Sequence, residues 1–181
     1  MIITLIGFMA AGKTSVGKLL AKKLDYKFID LDQYIERLTH NSIRKIFAVK
    51  GEKHFRTVEK KILKKLLENH DNLIISPGGG IVIDQDNIDL IKEKTVPFFL
   101  KASSDTIVNR LGEINDRPLI DQNNPKKTVD KLLKKRDDLY NQFSNIIRTD
   151  NMSLEEVADE IIYKLEKLSQ KQNGLSNRNG S

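Results

Sequence analysis

No cysteine occurs in the 181 residues, which excludes disulfides, thiolate metal sites and a cysteine nucleophile and suits a reducing compartment. Tryptophan is also absent and aromatic residues make up only 6%, which leaves little material for a base-stacking platform. No apolar run approaches the ~18 residues of a membrane span. The chain enters an apolar stretch, Ile2-Ile3-Thr4-Leu5-Ile6, directly after Met1, so no cleavable leader and no membrane partner are expected, and the expected location is the cytoplasm. The three histidines, His40, His54 and His70, are scattered without metal-ligand spacing and are read as structural or exposed.

Charge of one sign is in excess. A net charge of +6 and a pI near 9.4 raise the question of nucleic acid. The lysines are spread, however. Lys60, Lys61, Lys64 and Lys65 alternate with Ile62, Leu63, Leu66 and Leu67, and Lys131, Lys134 and Lys135 flank Leu132 and Leu133. That spacing marks solvated helix faces, so no nucleic-acid partner is expected.

What is present begins with Gly7-Phe8-Met9-Ala10-Ala11-Gly12-Lys13-Thr14, set between the apolar run and the amphipathic run Val16, Leu19, Leu20, Leu24. It reads as strand, glycine loop, helix, and fits Gly-x-x-x-x-Gly-Lys-Thr, the phosphate-binding loop. Chance produces the pattern in on the order of one chain in two hundred of this length, and more rarely with the flanking elements required. The glycines let backbone N–H groups of Ala10, Ala11, Gly12, Lys13, Thr14 and Ser15 converge on phosphates at the positive end of a helix. Lys13 supplies an ammonium for the β- and γ-phosphates, and the Thr14 hydroxyl is suited to Mg²⁺. The implied cofactors are ATP and Mg²⁺.

Strands and helices then alternate to the end, the pattern of an α/β fold with a parallel sheet covered on both faces. Strands are read at residues 2–6, 27–29, 73–76, 96–100 and 145–149. Helices are read between them, with a break at Gly51 and a capping box Ser153-Leu-Glu-Glu156 opening the last one. Ser104 or Asp105 is read as the cap of a helix ending near Leu111. At this length the chain is one domain, residues 1–168. The polar, turn-rich stretch at about 112–125 is long for a connection and reads as a mobile lid. Residues 169–181 read as a disordered or accessory tail.

In open parallel sheets ligands sit at the carboxyl ends of the strands. Three such ends carry conspicuous residues: the glycine loop, Asp30 with Asp32, and Gly78-Gly79-Gly80. One carboxylate of the Asp pair could face Mg²⁺ through its waters and the other an acceptor hydroxyl. The plainer reading is that an acid at a strand end caps the next helix.

Asp30-Leu-Asp32, Ser42-Ile43, Ile46-Phe47, Gly51-Glu52, Phe55-Arg56-x-x-Glu59, Gly78-Gly79-Gly80, Arg110-Leu111, Arg117-Pro118-Leu119 and Arg136-x-x-Leu139-Tyr140 closely resemble the shikimate kinase family, over roughly residues 2–165 and in the family's order. The resemblance implies a five-stranded parallel sheet of nucleoside-monophosphate-kinase type, order 2-3-1-4-5, in a three-layer sandwich. It implies ATP-dependent phosphorylation of the 3-hydroxyl of shikimate, on the route to chorismate and the aromatic amino acids, by a protein expected to be a monomer. It places Asp30 in the outer shell of Mg²⁺. Asp32 would hold the acceptor hydroxyls and take the proton. Arg56, oriented by Glu59, and Arg136 would bind the shikimate carboxylate with Gly78, Gly79 and Gly80. Arg117 would close on the phosphates, and Arg110 would lie against adenine with the loop after Arg148. Small anions suit planar guanidinium forks. Taken alone, Arg110 and Arg136 would read as solvent-facing helix residues. Three positions depart from the family pattern. Ala10 stands for a common glycine and is expected at negative φ. Pro77 removes an N–H before Gly78. Asn41 replaces another glycine, with a left-handed conformation within its reach.

Overall fold

Apolar strands alternating with amphipathic helices close into one parallel sheet, and the burial of each strand follows its rank within it. The computed structural model describes residues 1–111 and 124–176. The strands are β1 (Ile2–Ile6), β2 (Lys27–Asp30), β3 (Leu73–Ser76), β4 (Val96–Lys101) and β5 (Ile146–Arg148). They pair in the order β2-β3-β1-β4-β5, with Ile3 of β1 opposite both Ile74 and Val96. Every residue of β1 and β3 is buried, the pattern of strands covered on both faces. The outer strands β2 and β5 are shorter in apolar sequence and partly exposed.

The helices are α1 (Lys13–Leu24), α2 (Leu31–Thr39), α3 (Ile43–Asn69), α4 (Gln85–Lys94), α5 (Ser104–Arg110), α6 (Pro125–Tyr140) and α7 (Leu154–Ser176), with a 3₁₀ turn at Ile81–Ile83. The core runs through both layers, from Leu20 of α1 and Leu63 of α3 to Ile161 of α7. From central β1 the chain crosses to the edge strand β2, returns to β3 between them, and then moves to the other side of β1 through β4 to β5. The resulting crevice lies at the carboxyl ends of β1 and its neighbours, where ligands bind in such sheets.

Several local details differ from the sequence reading. Ser103, one residue earlier than read, caps α5 by accepting from Thr106 N–H at 3.2 Å. Helix α7 continues to Ser176, past the point at 169 where the apolar periodicity stops; residues such as Gln and Lys sustain a helix by propensity alone. The left-handed residue after α2 is His40, at φ 51°, while Asn41 instead donates its side-chain amide to the Thr39 carbonyl at 2.6 Å. Gly51, at φ 78° and ψ 167°, interrupts α3, as the break in periodicity predicts, and sets the direction of the segment bearing Glu52, Arg56 and Glu59. The capping box is present: Ser153 N–H donates to Glu156 at 2.7 Å and Glu156 N–H to Ser153 Oγ at 3.2 Å.

Candidate active site

The phosphate loop leaves β1 through a turn in which Ala11 N–H donates to the Phe8 carbonyl at 3.3 Å. Ala10 is the third residue of that turn and takes φ 57°, so the expectation of a negative φ is wrong. A turn of this kind requires positive φ at its third position, and alanine adopts it at a cost of about 1 kcal/mol. Gly12 follows at φ 98° and precedes α1, whose first turn carries neither a side-chain cap nor an acidic residue. The first-turn N–H groups and the helix's positive end therefore point into the crevice. Lys13 is buried and reaches back to the Phe8 carbonyl at 2.8 Å.

Thr14 Oγ1 donates to Asp30 Oδ2 at 2.8 Å, and Asp30 Oδ1 accepts from Gln33 N–H at 3.2 Å. Asp30 thus caps α2 with one oxygen, the plainer of the readings weighed from sequence, and meets the phosphate loop with the other. Hydroxyl and carboxylate oxygens are hard donors of the type Mg²⁺ takes, so this pair fits the ion.

Asp32 lies in the first turn of α2 against the turn after β3: a Cβ built on Gly78 would stand 2.9 Å from both of its carboxylate oxygens. Asp32 Oδ1 is buried and has no hydrogen-bond partner among the described residues. Burial, reinforced by the charge of Asp30 and opposed by Lys13 and Arg56, pushes its carboxyl up to about 6. Arg56 donates to Glu59 at 2.7 Å and to Glu52 at 3.0 Å. Glu59 is wholly buried, with Oε1 unpartnered among the described residues. Burial pushes its carboxyl up to about 7 although Arg56 draws it down, with the charge of Asp32 adding to the rise. A Cβ on Gly80 would collide with the Arg56 guanidinium, its carbon only 2.9 Å away; glycine is what allows the arginine to lie there.

Arg136 arrives from α6 and donates to the Gly79 carbonyl at 3.1 Å, with its guanidinium 5.8 Å from the centre of the Phe8 ring. Tyr140, one turn later, donates to the same carbonyl at 2.6 Å and stacks on Phe99 at 5.0 Å. Burial pushes the Tyr140 hydroxyl up to about 12, so it remains a donor. Two arginines more than seventy residues apart in sequence therefore meet one glycine turn, from α3 and α6.

These parts border a cleft of about 780 Å³ lined by residues 9–16, Asp30, Asp32, Pro77, Gly78 and Gly79, and on its other flank by Arg110, Thr149, Met152 and Leu154. The volume suits a nucleotide with a small co-substrate. Arg56, Gly80 and Arg136 are not on the lining among the described residues; they touch it through Gly78–Gly80. Arg110 donates to Thr149 Oγ1 at 3.0 Å and to the Thr149 carbonyl at 2.7 Å. Arg117 and the segment 112–123 of the expected lid lie outside the described residues.

Sequence reasoning named Glu52 and Tyr140 only as motif residues and Thr149 only as part of the loop after Arg148, and gave none of the three a contact of its own. Tyr140 had a signal, since it shares a helix face with Arg136 four residues before, as Glu52 does with Arg56. Thr149 had none, because its partner sits at the end of a different element.

The shikimate kinase family profile matches residues 9–166. A shikimate kinase of Thermodesulfovibrio yellowstonii is 42% identical over 167 residues, covering 92% of this chain and 96% of that protein. Among solved structures, shikimate kinase from Acinetobacter baumannii in complex with shikimate superposes with a TM-score of 0.86 at 34% identity, covering 94% of each chain. Shikimate kinase from Aquifex aeolicus gives 0.79 at 31% identity, covering 94% of this chain and 99% of that one. With the phosphate loop, the sheet order and the paired arginines all in place, this chain belongs to the shikimate kinase family.

Proposed function

We propose that this protein transfers the γ-phosphoryl group of ATP to the 3-hydroxyl of shikimate, yielding shikimate 3-phosphate and ADP, on the route to chorismate and the aromatic amino acids. The observation that carries this reading is the meeting of Arg56 and Arg136 at Gly79 and Gly80, beside Asp32 and one wall of the phosphate cleft. Two planar guanidinium groups at a bare glycine turn form a seat for a small carboxylate. A carboxylate bound there leaves the ring hydroxyls of the acceptor toward Asp32.

Asp32 takes the proton from the attacking hydroxyl as its oxygen bonds to phosphorus and the bond to the β-phosphate oxygen breaks. A carboxyl raised toward 6 holds that proton better than an exposed one while staying largely ionised at neutral pH. The loop N–H groups and Lys13 hold the phosphates and offset the charge that spreads over the transferred oxygens. Thr14 and Asp30 are the residues that would hold Mg²⁺, which supplies further charge neutralisation when bound. Arg117 closes on the phosphates from the lid, and Arg110 lies against adenine. Seen this way the protein acts as a cytoplasmic monomer with no nucleic-acid or membrane partner.

ADP release measured with shikimate, with gluconate and with no acceptor tests the assignment. Release that depends on shikimate supports it. Release that is greater with gluconate, or that is independent of any acceptor, refutes it.

A further inference from the structure

The outer strands β2 and β5 lie at opposite edges of the sheet, so the cleft has an acceptor flank near Asp32 and a second flank near Thr149. Thr149, one residue past β5, is 1% exposed. Its polar groups are all engaged. The backbone N–H donates to the Lys101 carbonyl at 2.8 Å, which bolts the residue to the end of β4. The hydroxyl donates to the same carbonyl at 3.5 Å. With its proton directed there, the hydroxyl presents lone pairs to Arg110 Nη1, 3.0 Å away, while the Thr149 carbonyl accepts from Nη2 at 2.7 Å.

Arg110 is the last residue of α5 and an exposed side chain. Without a fixed partner such an arginine samples many rotamers, and ordering it when a ligand arrives costs up to ~2 kcal/mol. The two hydrogen bonds from Thr149 remove that freedom in advance. They also lie in the plane of the guanidinium, as its N–H groups must. What stays open is the flat cationic face, which is the surface that stacks on an aromatic ring. The neighbouring Asp150 fixes the frame: its Oδ1 accepts from Ser103 N–H at 2.9 Å and Thr106 Oγ1 at 2.6 Å, tying the exit of β5 to the start of α5.

We propose that Thr149 is a positioning residue for the nucleobase: anchored to β4, it holds the Arg110 guanidinium in one orientation so that its face forms a wall for the purine ring of ATP. This rests on the reading of Arg110 as the residue against adenine. Met152 and Leu154, which line the same flank, supply apolar surface beside it.

The test uses two substitutions of Thr149. Thr149→Val keeps the shape and removes the lone pairs, and Thr149→Ser retains the hydroxyl. Calorimetry with ADP and with inorganic tripolyphosphate, which occupies the phosphate cradle without a base, separates the two ends of the cleft. Thr149→Val is expected to weaken ADP about five- to twentyfold, as loss of a charge-assisted hydrogen bond does, and to leave tripolyphosphate within twofold; Thr149→Ser restores ADP affinity. Unchanged ADP affinity in Thr149→Val, or equal losses for ADP and tripolyphosphate, overturns the proposal. Arg110→Ala separates the two layers of the argument. If Arg110→Ala weakens ADP while Thr149→Val does not, the positioning role alone falls. If ADP binding is indifferent to Arg110→Ala, the assignment of Arg110 to the base falls with it.

Discussion

Asp32 is half-buried and Glu59 wholly buried, each has a buried carboxylate oxygen lacking a partner among the described residues, and Glu59 feels the charge of Asp32. Both hold a proton more tightly in the folded protein than in an unfolded chain. The folded state therefore binds more protons between about pH 4 and 7, and stability falls as pH rises through that window. For the ligand-free protein, the thermal midpoint should drop from pH 5 to pH 8 more steeply than it does in Glu59→Gln; parallel curves for the two proteins contradict this. Activity runs the other way. Asp32 must lose its proton to accept one, so kcat/KM for the acceptor should rise through about pH 6 and level above it. A profile flat down to pH 5 removes Asp32 as the base. Arg117, outside the described residues, belongs to the same scale, as the single charge proposed to act on the transferred group. Arginines in that role are worth roughly 10³ to 10⁵ in turnover, so Arg117→Ala should lose turnover on that order while the KM for shikimate moves little. An unchanged rate excludes the arginine from the transition state.

At the scale of elements, the turn after β3 does the most work for its length. Gly79 and Gly80 receive Arg136 and Tyr140 from α6 and Arg56 from α3, and Gly78 abuts Asp32 of α2. Gly80→Ala would push the Arg56 guanidinium aside, so the KM for shikimate should rise about tenfold or more while that for ATP stays within twofold. Equal changes in both would mean that the turn itself has moved. This element was legible in part. Three glycines after an apolar run announced a close approach, and the motifs around Arg56 and Arg136 carried the family resemblance. The helix face that Tyr140 shares with Arg136 was a signal, but its acceptor on Gly79, 61 residues away in sequence, was not legible. Ala10 shows a different limit: the hydrogen bond from Ala11 N–H to Phe8 closes a turn that sets its third residue left-handed, and residue type alone predicted the opposite sign of φ.

Across the whole molecule, strand alternation and the apolar character of β1 and β3 were enough to anticipate a parallel sheet, because strands buried on both faces must be apolar throughout. The order β2-β3-β1-β4-β5 came from the resemblance, since periodicity does not specify which strands pair. The extension of α7 to Ser176 escaped notice for the opposite reason: a polar helix end leaves no periodic apolar trace. The central claim is that the paired guanidinium groups near Gly79 and Gly80 read an acceptor carboxylate at one wall of the cleft that holds the nucleotide phosphates. The most direct measurement compares shikimate with its uncharged carboxamide as acceptors. Loss of the charge-assisted hydrogen bonds should lower kcat/KM about thirtyfold or more for the carboxamide and leave the KM for ATP unchanged. Equal kcat/KM values for the two acceptors would contradict the account.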